Sequence, residues 1–178
     1  MAEQIRERLV RVREQIARAA ERAGRRAEDI TLISVSKTFD SPTVQQAVDA
    51  GACDLGENRV QEGITKVALI KGDVRWHLIG HLQSNKARQA VEAFDVIHTI
   101  DSSQLAERLD RVAGELARRP AVLVQVDLAH EPTKTGADES ELPAIIEALD
   151  SVAPNVQVCV GVDSERFIQL FISRLQGK

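Results

Sequence analysis

Lys37, Glu57 with Asn58, His81, Asp101 with Ser102, and Asp127 each follow a short apolar run of the sequence. An amine, an amide, carboxylates and an imidazole placed in this way offer a nucleophile, acid and base groups and hydrogen-bond donors, once a fold gathers the ends of those runs. Lys37 carries the most chemistry. It closes the run 30–37 (ITLISVSK), and the two-residue period of a strand puts it on one face with Val35 and Ile33. An ammonium emerging from an apolar wall is desolvated, which favours the neutral amine and readies it to condense with an aldehyde. The plainer alternative is a lysine reaching into water from a strand end. His77 and His81 are four residues apart, but they straddle a strand end and Gly80 rather than sharing a helix face, so zinc is not expected there. Cys53 and Cys159 lie in separate apolar runs with no C-x-x-C spacing, which argues against both a metal site and a disulfide scaffold. The chain has no tyrosine, which removes any mechanism that needs a phenol.

The elements that must position these groups alternate. Ile5, Leu9, Val12, Ile16, Ala19 and Ala23 recur at steps of three or four, so a long amphipathic helix ends near Gly24. Strands are predicted over 30–37, 53–57, 74–80, 95–100, 121–128 and 156–162, and helices over 41–50, 60–70, 85–93, 103–117 and 141–152. Ser41 with Pro42 reads as an N-cap and first-turn proline. A last apolar helix is predicted over 165–175. Strict alternation means parallel strands joined by crossovers, hence an α/β protein that is either a doubly wound sheet or a barrel. The first strand leads into Lys37-Thr38-Phe39-Asp40 instead of a glycine-rich dinucleotide turn, which favours the barrel. A complete eight-stranded barrel needs about 200 to 250 residues. With 178 residues and six strands, an open or incomplete barrel is expected, comprising 1–162 with its N-terminal helix, followed by a separate helical stretch over 163–178.

Composition narrows the partners. The formal charge is -4 and the pI near 5.6, so coating nucleic acid is a poor first reading. Residues 1–26 depart from this average, with eight arginines against four glutamates, and the simplest account is a solvated helix face. No apolar run is long enough to span a bilayer and the N-terminus opens with charges, so a cytoplasmic protein without membrane contact is expected.

Three stretches then point to a family. Ser34-Val35-Ser36-Lys37-Thr38, Gly56-Glu57-Asn58-Arg59-Val60-Gln61-Glu62 and Trp76-His77-Leu78-Ile79-Gly80-His81-Leu82-Gln83-Ser84-Asn85-Lys86 resemble, in order and spacing, the motifs of the pyridoxal phosphate homeostasis proteins. Those proteins share the fold of the alanine racemase N-terminal domain, and the likeness runs from the first helix to about Val162. It implies that Lys37 forms an aldimine with pyridoxal 5'-phosphate. Asn58 would help hold the ring, with a turn or N-cap role before Val60 as the alternative. Glu57 would orient a neighbouring donor, or simply end a strand in water. His77 is expected to be a hydrogen-bonded barrel residue and His81 a loop residue near the cofactor. Lys134, in His130-Glu131-Pro132-Thr133-Lys134-Thr135-Gly136, resembles the family's lysine-glycine loop and would meet phosphate or accept the aldehyde in exchange; otherwise it is a mobile loop lysine.

The resemblance also has gaps. Arg59 stands where the second motif often has tyrosine, and beyond Val162 the family's serine- and glycine-rich phosphate cup and its arginine segment have no visible counterpart. A truncated barrel with exposed strand edges, monomeric or associating through those edges, is the expectation. The leading functional reading is a non-catalytic holder of pyridoxal phosphate in vitamin B6 homeostasis that releases it to apo-enzymes. The alternatives are a racemase-like enzyme, which the absence of tyrosine disfavours, and a degenerate fragment that no longer binds cofactor.

Overall fold

The computed structural model describes residues 2–127, 136–152 and 157–162. The expected helix over 165–175 and Lys134 lie outside the described residues.

The chain begins with α1 (Ala2–Arg22), in which Ile5, Leu9, Ile16 and Ala19 are half-buried and Ala20 is buried, while Val12 of the expected stripe is exposed along with the arginines. Then strand and helix alternate: β1 (Ile33–Val35), α2 (Ser41–Asp49), β2 (Asp54–Glu57), α3 (Val60–Leu69), β3 (Arg75–Leu78), α4 (Ala87–Ala93), β4 (Val96–Ile100), α5 (Ser103–Glu115), β5 (Ala121–Val126), α6 (Leu142–Val152) and β6 (Gln157–Val162). The helix over 41–50 is capped one residue earlier than expected. Asp40, not Ser41, accepts a hydrogen bond from the Thr43 N–H at 3.0 Å, while Pro42 sits in the first turn.

All neighbouring strands are parallel, and their spatial order is the sequence order, β1-β2-β3-β4-β5-β6. A doubly wound sheet would reverse that order at a switch point, so the barrel reading holds. Among the described residues β1 and β6 do not pair, and the sheet is an open barrel wall.

The two faces of the sheet have different contents. Toward the helices, Leu55, Trp76, Leu78, Ile97, Val122 and Val124 meet Val44, Val60, Val91, Phe94, Leu105 and Leu109 in one continuous core. The fully buried ring of Phe94 lies on Gly63 of α3, where a Cβ would come within 2.3 Å of the ring. Burying such a ring contributes about 2 to 3 kcal/mol, and α3 and α4 approach closely only because residue 63 has no side chain. On the opposite face, which a closed barrel would make its interior, the register aligns Ile33 and Val35 with Asp54 and Gly56, and these with Arg75 and His77.

Candidate functional site

The C-terminal ends of β1, β2, β3 and β4 stand side by side, and polar groups crowd the turns that follow them. β1 stops at Val35, two residues before Lys37, so the strand expected over 30–37 is shorter and Lys37 lies in an exposed turn. The apolar wall expected around its amine is therefore absent: Val35 itself is 48% exposed. Strand pairing ends early because Ser36, Lys37 and Thr38 bend away, with the Phe39 N–H donating to the Ser36 carbonyl at 3.2 Å. Thr38 takes the third position of this turn at φ +68°, a left-handed conformation that strains a β-branched residue. The Lys37 ammonium makes no ion pair or hydrogen bond among the described residues.

Beneath the turn lies a buried ionic cluster. Lys66 of α3 is 4% exposed, and its ammonium donates to the Ser36 carbonyl at 2.6 Å, to Glu57 Oε1 at 2.7 Å and to Glu62 Oε1 at 2.8 Å. Glu57 is fully buried and also accepts the Ser36 hydroxyl at 2.6 Å, so it orients donors as the resemblance implied and is not a strand-end carboxylate in water. Among the described residues its Oε2 has no hydrogen-bond partner. Glu62 Oε1 further accepts the Thr38 N–H at 2.7 Å. Burial by itself lowers the pKa of the Lys66 ammonium, but its hydrogen bonds to Glu57 and Glu62 outweigh that, and the net shift is upward. Glu62 is held below the usual carboxylate range by its hydrogen bonds to Lys66 and to Thr38.

Asn58 follows β2 directly. It does not cap α3, where Arg59 holds the N-cap position without a side-chain hydrogen bond, so of the plainer alternatives only a turn role remains. Its side-chain amide makes no hydrogen bond among the described residues. The backbones of Asn58 and Gly80 touch, since a Cβ on Gly80 would lie 2.2 Å from the Asn58 carbonyl oxygen. The Gly80 carbonyl accepts the Thr99 hydroxyl at 2.9 Å, which ties the loop after β3 to β4. His81 is an exposed loop residue, as expected, with Nδ1 3.3 Å from Asp101 Oδ2. The register thus brings Lys37, Asn58 and the Gly80-His81 loop to neighbouring strand ends; the segment holding Lys134 is outside the described residues.

A second polar cluster lies on the other face of the sheet, the one a closed barrel would make its interior. His77 Nε2 is 2.8 Å from Asp54 Oδ1, and His77 Nδ1 is 2.9 Å from His98 Nε2, which makes His77 the hydrogen-bonded barrel residue the sequence suggested. Burial lowers the pKa of His77 despite Asp54. Burial, with His77 and Arg75 adding to it, pushes His98 down to about 4. The imidazoles bond one another and Asp54 instead of converging on a common point, and among the described residues no metal-ligating cluster occurs.

Sequence reasoning missed Lys66, Glu62 and the Thr38 geometry. One signal was available: Val60, Gly63 and Lys66 recur at helical spacing, which puts a lysine on the buried face of α3 four residues after a glutamate.

An exposed amine able to react with a carbonyl, an uncommitted amide and an imidazole at adjacent strand ends form a donor set that suits a small aldehyde with polar ring substituents. The alanine racemase N-terminal domain model matches residues 8–162. A pyridoxal phosphate homeostasis protein from Synechocystis is 37% identical over 132 residues, 73% of this chain and 60% of the relative. One from Escherichia coli K12 is 41% identical over 127 residues, covering 68% of this chain and 54% of the relative, so the match spans just over half of these relatives. Among solved structures, PipY of Synechococcus elongatus with pyridoxal phosphate bound superposes with a TM-score of 0.78 at 39% identity, covering 97% of this chain and 79% of that one.

Proposed function

The chain belongs to the pyridoxal phosphate homeostasis proteins, on the alanine racemase N-terminal domain fold, and on that premise we propose that it binds pyridoxal 5'-phosphate through Lys37 and serves vitamin B6 homeostasis without catalysis. The contrast between its two neighbouring lysines carries the reading. Lys66 spends all three ammonium protons on acceptors and is buried, so it cannot attack a carbonyl. Lys37, one turn away and exposed, has no such commitment. Lys37 would hold the cofactor by condensation of its amine with the aldehyde, with loss of water. Asn58 and His81, at the next two strand ends, are proposed to face the ring and its substituents. Lys134 enters only through its motif, as a second amine or a phosphate partner.

The absence of catalysis is supported by chemistry as well as by the names of the relatives. Moving a substrate α-proton from one face to the other needs a base on each face, and the chain holds no tyrosine to act as one of them. Delivery of the cofactor to apo-enzymes belongs to the same proposal. So does a cytoplasmic setting, in which exposed Cys53 stays a free thiol; among the described residues no helix is long and apolar enough to cross a membrane. The test is a titration with pyridoxal phosphate followed by visible absorbance. Wild-type protein should develop a saturable aldimine band and Lys37→Ala should not, with the same far-ultraviolet circular dichroism. An equal band in both proteins would overturn the assignment.

A further inference from the structure

We propose that Lys66, with Glu57 and Glu62, is a positioning cluster that fixes the two peptide groups on either side of Lys37 and so aims its amine; the inference rests on Lys37 being the attachment point. Ser36 precedes Lys37 and Thr38 follows it. The Ser36 carbonyl accepts from Lys66 at 2.6 Å, and the Thr38 N–H donates to Glu62 at 2.7 Å, where Glu62 is itself bound to Lys66 at 2.8 Å. The Ser36 hydroxyl is anchored to Glu57 at 2.6 Å, and Glu57 is anchored to Lys66 at 2.7 Å. One buried ammonium therefore ties down both flanks of an exposed residue whose own side chain is unattached.

This arrangement explains two features that packing alone leaves open. A buried lysine with two carboxylates is costly to desolvate and is seldom the most stabilising filling for a helix–sheet contact. Thr38 is held at φ +68°, and backbone strain of this kind persists only where the surroundings over-determine it. The bond from Thr38 N–H to Glu62 supplies that constraint, and its effect falls on the orientation of residue 37. A flexible turn would let the Lys37 amine sample many directions, whereas a fixed one spends less entropy when a cofactor is bound.

Glu62 is the place to test this, because it is partly exposed and its loss does not strand a buried charge. Glu62→Ala removes the acceptor for Thr38, while Glu62→Gln retains an amide oxygen that can accept from both Thr38 and Lys66. The readouts are hydrogen exchange at the Thr38 amide without cofactor, and pyridoxal phosphate affinity with borohydride trapping on Lys37. Glu62→Ala should speed exchange at Thr38 about tenfold or more and weaken cofactor binding about tenfold, with the residual adduct still on Lys37 and Glu62→Gln close to wild type. Unchanged exchange and affinity in Glu62→Ala would overturn the clamp while leaving Lys37 as the attachment point. An adduct on some other lysine in wild type would instead overturn the attachment reading, while the exchange measurement would still decide whether Glu62 holds the turn. Lys66→Met should reproduce the Glu62→Ala effects more strongly. If it does not fold, the Glu62 pair decides alone.

Discussion

Acid should destabilise this fold well before its carboxylates titrate, and the cause is the buried Asp54-His77-His98 line. His98 falls from an ordinary 6.5 to about 4 in the folded chain, and His77 is also lowered. The groups acting on them come from three places: Asp54 on β2, Arg75 on β3 and Asp95 just ahead of β4. Because the folded protein resists a proton that the unfolded chain accepts, the unfolded state binds more protons below pH 6.5. Stability is therefore complete above that pH and is lost as the pH falls toward 4. For His98 alone, the loss between pH 7 and pH 5 comes to about 2 kcal/mol, with His77 adding in the same direction. Glu62 is also lowered in the fold, but its contribution is lost only as the pH falls below 4.5, so the window from pH 7 to 5 isolates the histidines. The lone tryptophan, Trp76, is buried beside His77 in β3 and reports unfolding directly. Urea titrations by its fluorescence should show the midpoint dropping by about 1 M between pH 7 and 5. In His98→Gln the drop should be much smaller. A midpoint that stays flat in wild type, or falls equally in the variant, would refute the argument.

Other outcomes follow from single contacts. Gly80→Ala would place a methyl against the Asn58 backbone, which cannot swing aside as a side chain can, so a loss of about 1 to 3 kcal/mol by denaturant titration and weaker cofactor binding are expected. Gly63→Ala should cost a similar amount, since the buried Phe94 ring must move, yet leave the Lys37 adduct intact on mass analysis. Thr38→Gly should relieve the left-handed strain and leave thermal stability unchanged or raised by about 1 kcal/mol, because glycine adopts φ +68° freely. Exchange of the α-proton of alanine in deuterated buffer should run no faster with protein and cofactor than with cofactor alone.

The parallel α/β plan was readable because each helix shows one apolar stripe and each strand one short apolar run, so period and order were enough to call for a barrel-like sheet. The ends of elements were less readable. β1 was expected to reach Lys37, yet the sequence has no marker for the turn at Ser36: the turn is imposed by Lys66 and Glu62, which arrive from a helix some thirty residues later. Similarly, Asp40 competes with Ser41 for the cap, and only the geometry shows that Asp40 reaches the Thr43 N–H. That Lys37, Asn58 and His81 would follow three neighbouring strands was legible through motif spacing and the order of the apolar runs. Lys66 was not, because a lysine in a helix reads as solvated until the carboxylates that surround it are placed in space.

One exposed lysine, held by a buried one, is proposed to take the cofactor. Incubation of the whole chain with pyridoxal phosphate, borohydride reduction and peptide mass mapping measures this directly. The Lys37 assignment requires a reduced adduct on Lys37 and none on Lys66. An adduct on Lys66, Lys86 or Lys134 in place of Lys37, or one spread evenly over the lysines, would contradict it.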